Sequence, residues 1–147
     1  MTVDPTLIPS FDPEAGPTAD LVALYLDPQP TPTSLYTITK TTERTVYNDA
    51  RIRVALPPTP ADVLMYNMQG LVTETSIFNV AFYRSSCWLT PAASTGCLPG
   101  ILRQRLLQWG RIREDSDHTL TRDSIRPGDW VLLFNSVQGC RFGRIVE

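Results

Sequence analysis

Apolar residues fall into short runs separated by turn-forming residues, and two longer stretches carry helical spacing. Val63 to Tyr66 and Leu71 to Thr73 are strand-like runs joined by Asn67-Met68-Gln69-Gly70, which favours a turn. Asn79 to Tyr83 and Trp88 to Thr90 predict a hairpin with Arg84-Ser85-Ser86-Cys87 at its turn. Trp130 to Phe134 is an unbroken apolar run suited to a buried strand, and Phe142 to Val146 is a last strand. Leu35 to Thr39 is β-prone and ends at Lys40. Thr41 or Thr42 can cap a helix through about Leu56, which Pro57-Pro58 stops. Val46, Tyr47, Ala50 and Val54 give that helix one apolar face. Pro91 to Gly96 is a loop, and Leu98-Pro99-Gly100 introduces a second helix from Ile101 to about Trp109, ended by Gly110. Arg111 to Arg113 predicts a short strand and Asp123 to Arg126 one helical turn. Strands and helices mix without strict alternation and without an internal repeat, so the expectation is a mixed α/β fold.

Residues 1 to 34 break from this pattern. They hold seven of the 13 prolines and five acidic residues, with no basic residue. That composition predicts a Pro-rich acidic arm, extended or disordered, in which Leu21 to Leu26 can add a strand or a helical turn. The globular part is expected over residues 35 to 147. The whole chain has 147 residues, 42% of them hydrophobic, enough for one domain with a core and too few for two ordinary ones. A net charge of −2 argues against a nucleic-acid binder that relies on bulk positive charge. No apolar run approaches the ~18 residues of a membrane helix, and the first residues lack the pattern of a signal peptide. Cys87, Cys97 and Cys140 have no CxxC spacing, which points to free thiols in a reducing compartment and no metal site. Together these features lead us to expect a cytoplasmic location.

The candidate chemistry starts from two scarce residue types. Lys40 is the one lysine against twelve arginines, and it sits at a strand-to-helix junction. A lysine there is either a solvated surface group or an amine whose surroundings lower its pKa for Schiff-base chemistry. His118 is the one histidine, in a polar loop, and reads as surface. After Leu98-Pro99-Gly100, the first amides of the helix, at Ile101 and Leu102, can receive an anion, although an ordinary loop-to-helix junction has the same sequence. Glu74 follows the apolar pair Leu71-Val72; it is either a solvated strand-end carboxylate or a buried one that needs a partner. Arg103, Arg105, Arg111 and Arg113 read as a solvated basic face. Asn135-Ser136 after the buried run is a turn that can also present a hydroxyl and amides to a phosphate.

In order, four segments resemble the class IV aminotransferases, the fold-type IV pyridoxal-phosphate enzymes. They are TKTTERTVYNDAR (39 to 51), NMQGLVTETSIFNVAFYR (67 to 84), WLTPAASTGCLPGILRQRLL (88 to 107) and LLFNSVQGCRFGRI (132 to 145). Their wording is closest to the aminodeoxychorismate lyase branch, and to its fungal-type members. The resemblance implies a barrel-like mixed sheet flanked by helices, as in the large domain of D-amino-acid aminotransferase-like enzymes, without the small N-terminal domain. It implies pyridoxal 5'-phosphate as cofactor. Lys40 falls on the Schiff-base lysine, Glu74 on the glutamate facing the pyridine nitrogen, and Asn79 five residues later as in the family pattern. Ile101 and Leu102 fall on the phosphate-binding amides, and Ser136 on a second phosphate-binding hydroxyl with Asn135 beside it. The implied activity is elimination of pyruvate from a small amino substrate, 4-amino-4-deoxychorismate, to give 4-aminobenzoate. Amino-acid transamination shares its first steps, and a non-catalytic or repurposed domain is the alternative of another class. The family's small domain contributes an arginine toward the phosphate, and residues 1 to 34 contain none. Either this is a truncated product, or a homodimer mate or another chain completes the site, or the fold serves another purpose.

Overall fold

The computed structural model describes residues 8, 21–32 and 45–146. Lys40 and the β-prone run Leu35 to Thr39 lie outside the described residues. The elements are β1 (Val22–Leu26), α1 (Thr45–Val54), β2 (Ala61–Tyr66), β3 (Val72–Thr75), β4 (Asn79–Arg84), β5 (Cys87–Pro91), α2 (Ile101–Gln108), β6 (Arg113–Asp115), β7 (Trp130–Asn135) and β8 (Gly139–Ile145). A single 3₁₀ turn, Ala93–Thr95, lies between β5 and α2. The eight strands form one curled mixed sheet in the order β3-β2-β1-β8-β7-β4-β5-β6. Strand β1 is parallel to both of its neighbours, and the β4, β7 and β8 ladders are antiparallel.

The continuous apolar run of β7 has its reason in this arrangement. Val131 and Leu133 point into one layer with Leu24, Leu64, Val80 and Phe82. Leu132 and Phe134 point into the other, with Trp88, Phe142, and Leu102 and Leu106 of α2. A strand covered on both faces cannot alternate apolar and polar. Helix α1 covers a third patch, where Tyr47 and Ala50 pack on Val63 and Met65 of β2. The helix stops at Val54, two residues before the expected end, because Ala55 turns into the left-handed region at φ 49°. The β4–β5 hairpin turns where the sequence predicts, with Ser85 and Ser86 both at positive φ, as a two-residue type I′ turn requires. Asp123 to Arg126 is not a helical turn; Thr121 and Ser124 close a hydrogen-bonded turn there instead. Among the described residues no helix is long and apolar enough to cross a membrane.

Within the stretch expected as an arm, Val22–Leu26 forms β1 and sits between β2 and β8. Val22 and Leu24 are buried, and Asp27 beyond them is buried too. What holds this segment is the sheet on both sides together with an ion pair. Arg53 on α1 grips Asp27 with two bonds, Nε to Oδ1 at 2.9 Å and NH2 to Oδ2 at 2.6 Å. The bond to Asp27 lifts the guanidinium above its ordinary range. Arg51, two residues earlier, donates to the buried Asp62 on β2 at 3.2 Å. Both arginines lie in the last turn of α1, where the helix dipole favours cations.

Replacing Arg53 by Met keeps most of the stem and leaves the fully buried Asp27 carboxylate unpaired. Urea unfolding should show a loss of about 3 kcal/mol, whereas Arg105→Met, on the exposed side of α2, should change stability by under about 0.5 kcal/mol.

Candidate active site

The candidate site is built where the β2–β3 hairpin, the start of β4 and the loop into α2 meet. Strand β3 runs two residues further than its sequence suggests, to Thr75, because Thr75 closes the turn into β4: its Oγ1 accepts from the Phe78 amide at 2.9 Å. Between Met65↔Glu74 and Tyr66↔Val72 the ladder skips Thr73, a bulge that re-aims the residue after it. Glu74 is therefore buried, at 3% exposure, on the face that carries Met65 and Tyr47. The carboxylate is not a solvated strand end. Leu98 N–H donates to its Oε1 at 3.1 Å, and the Tyr47 hydroxyl donates to Oε2 at 3.4 Å. Being acceptor-only, it demands a donor from whatever else it faces.

The Leu98 peptide has a second anchor. Its carbonyl accepts from Asn79 Nδ2 at 2.9 Å and from the Gly100 amide at 2.9 Å. Two residues on, α2 begins with Gly100 as N-cap and no side-chain cap. Its first amides, those of Ile101 and Leu102, have no intrahelical acceptor and add the positive end of the helix dipole. Leu102 is buried and fixes the helix on β7, while Ile101 is exposed at the site. The turn after β7 lies at the same sheet end, since Asn79 pairs with Phe134 across the ladder. Asn135 forms that turn: its Oδ1 accepts from Val137 and Gln138, and its Nδ2 donates to the Ile77 carbonyl. Ser136 next to it is exposed. The structure thus joins Glu74, Asn79 and the start of α2, and puts Asn135 and Ser136 at the same end.

A small cavity opens beside Glu74, lined by Thr31, Met65, Asn67, Thr73 and Gly96. The Thr31 hydroxyl is buried there without a hydrogen-bond partner among the described residues. The loop carrying Leu98 is braced elsewhere as well. Asn67 Nδ2 donates to the Thr95 carbonyl at 3.0 Å. Arg103, expected on a solvated face, is instead buried at 4%, and its NH2 donates to the Pro91 carbonyl and to Glu114. Sequence reasoning reached Tyr47 only as an apolar face residue, and no spacing signal marks Arg103 as a brace. His118 is exposed as expected, 3.0 Å from the Ser94 hydroxyl. Among the described residues no group of histidine, cysteine and carboxylate side chains is placed to hold a metal.

The family model for Amino-transferase class IV matches residues 2–145. A Schizosaccharomyces pombe protein provisionally named as an aminodeoxychorismate lyase is 46% identical over 116 residues, covering 77% of this chain and 50% of that protein. The aminodeoxychorismate lyase of Saccharomyces cerevisiae is 36% identical over 134 residues, covering 80% of this chain and 35% of that protein. A Legionella pneumophila crystal structure, provisionally a 4-amino-4-deoxychorismate lyase, superposes with a TM-score of 0.71 at 27% identity, covering 87% of this chain and 48% of that one. The chain spans half or less of the length of these relatives.

Cys97, one residue before Leu98, is buried, and burial pushes its thiol above the ordinary range, opposed by nearby Arg103. A raised pKa means less thiolate at neutral pH. Iodoacetamide followed by peptide mapping should therefore modify part-exposed Cys87 well before Cys97, and raising the pH should narrow the gap.

Proposed function

The chain belongs to the class IV aminotransferase family, and on that footing we propose that it carries the pyridoxal-phosphate site of an aminodeoxychorismate lyase. The observation that carries this reading is Glu74: a buried carboxylate, held from both oxygens, and tied through Leu98 to the loop that leads into a helix start with no side-chain cap of its own. This donor set fits the cofactor at both ends. An acceptor-only carboxylate suits a protonated ring nitrogen, and uncapped first-turn amides suit a phosphate dianion.

In this reading Glu74 accepts from the ring N–H and keeps the proton there. The amides of Ile101 and Leu102 and the hydroxyl of Ser136 take the phosphate oxygens. Lys40 supplies the amine that anchors the cofactor and then, released, removes the α-proton of the substrate. The bound cofactor supplies an electron sink for the substrate α-carbon. Tyr47 and Leu98 keep the Glu74 carboxylate from rotating away, and the packed loop from Thr95 to Gly100 excludes water from its buried side. The substrate is 4-amino-4-deoxychorismate, and the products are pyruvate and 4-aminobenzoate. A homodimer mate or another chain completes the side of the cleft that faces the substrate, and a cytoplasmic location goes with this reading.

Two measurements check it. Borohydride reduction with pyridoxal phosphate, then peptide mapping, should place the adduct on Lys40. No other side-chain amine exists, so the α-amino terminus is the one competitor; an unmodified Lys40 peptide at saturating cofactor would refute the reading. Glu74→Gln retains an oxygen for the Leu98 amide but cannot hold a proton on the ring nitrogen. Cofactor binding should persist while pyruvate release from 4-amino-4-deoxychorismate falls about a hundredfold or more. Appearance of a keto acid matched to an added amino donor, without pyruvate elimination, would mark an aminotransferase instead.

A further inference from the structure

We infer that Asn79 is a positioning residue that sets the distance between Glu74 and the start of α2 through the Leu98 peptide, and that Gly100 is small in order to make room for it. The inference rests on the proposed pyridoxal-phosphate site and deepens it. The two ends of that site come from elements distant in sequence: Glu74 from β3, and the Ile101 and Leu102 amides from α2. One residue, Leu98, bridges them through the two peptide groups that flank its Cα. Its N–H is bound to Glu74 at 3.1 Å and its carbonyl to Asn79 at 2.9 Å. Asn79 opens β4 and is fixed in the ladder opposite Phe134, a fully buried core residue. The carbonyl is therefore referenced to the rigid sheet, and the N–H to the carboxylate. Both side-chain ends of Asn79 are committed to this task. Nδ2 binds Leu98, and Oδ1 lies against Gly100, where a Cβ would stand only 2.5 Å from it.

Gly100 gives this assignment an independent handle. Its φ of −60° and ψ of 149° are open to any residue, so backbone freedom does not explain a glycine there. The conflict with a larger residue is with Asn79 alone among the close contacts of that Cβ. Gly100→Ala must therefore displace the Asn79 amide and break its bond to the Leu98 carbonyl, which keeps the Gly100 amide, while the added methyl touches neither Glu74 nor Leu98 directly. Asn79→Ala breaks the same bond from the other side, and in that background the added methyl has space.

The test is a double-mutant cycle of Asn79→Ala and Gly100→Ala. It is read by pyridoxal-phosphate affinity and by amide hydrogen exchange at Leu98. Each single variant should weaken affinity about tenfold and speed Leu98 exchange by a similar factor, with the β7 and β8 amides unchanged. The double variant should be no worse than Asn79→Ala. Additive losses, or Asn79→Ala with affinity and Leu98 protection unchanged, overturn the inference. If the unmodified protein takes up no pyridoxal phosphate, the functional reading fails. Leu98 exchange across the cycle then still decides the positioning role: non-additive loss of protection supports it, and additive or absent loss overturns it.

Discussion

A carboxylate placed out of water must be met by donors, or the fold loses several kcal/mol. Glu74 imposes that condition on everything around it. One donor comes from α1 through the Tyr47 hydroxyl, the other from the loop before α2 through the Leu98 amide. The two described helices, which otherwise pack on different patches of the sheet, are registered against each other by one side chain. The bulge at Thr73 and the turn closed by Thr75 make sense in the same light, since they fix where that carboxylate points.

The ion pairs of α1 repeat the theme at the sheet's other carboxylates. Asp27 lies just past the end of β1 and Asp62 on the adjacent parallel β2, and Arg53 and Arg51 descend on them from the last turn of one helix. Ion pairs of this kind add little net stability over an apolar packing, but they penalise any other docking of the helix.

Much of the fold was legible where a local rule suffices. The Arg84-Ser85-Ser86-Cys87 turn, the unbroken run of β7 and the Gly100-to-Trp109 helix each follow from propensity or period. Strand β1 was legible only as an option, because five apolar residues among prolines and acids carry no sign of the two strands that flank them. The full length of β3 was hidden because the apolar run ends at Val72, and only the pairing of Glu74 and Thr75 with Met65 and Leu64 carries the strand on. Arg103 shows the limit most clearly. Its spacing on α2 matches its solvated neighbours, and only the Pro91 carbonyl and Glu114, distant in sequence, make burial tolerable. Of the site, Glu74 and the start of α2 were marked by order and motif, whereas the link between them is a backbone peptide, which no side-chain pattern records.

The place of β1 also has a consequence for how the chain acquires its structure. Val22 pairs with Gly143 and Ala23 with Arg144, while Ala23 to Leu26 pair with β2. Gly143 approaches so closely that a Cβ would meet Leu24 and Leu133 side chains and the Val22 carbonyl at 3.1 Å. This part of the sheet therefore joins two strands that lie far apart in the sequence. Strands β1 and β2 can pair early in folding, yet the free edge of β1 has no mate until β8 is in place. Such long-range parallel closure is slow and leaves an open edge meanwhile. A folding chain of this design keeps a parallel edge open to mispairing until β8 closes on it.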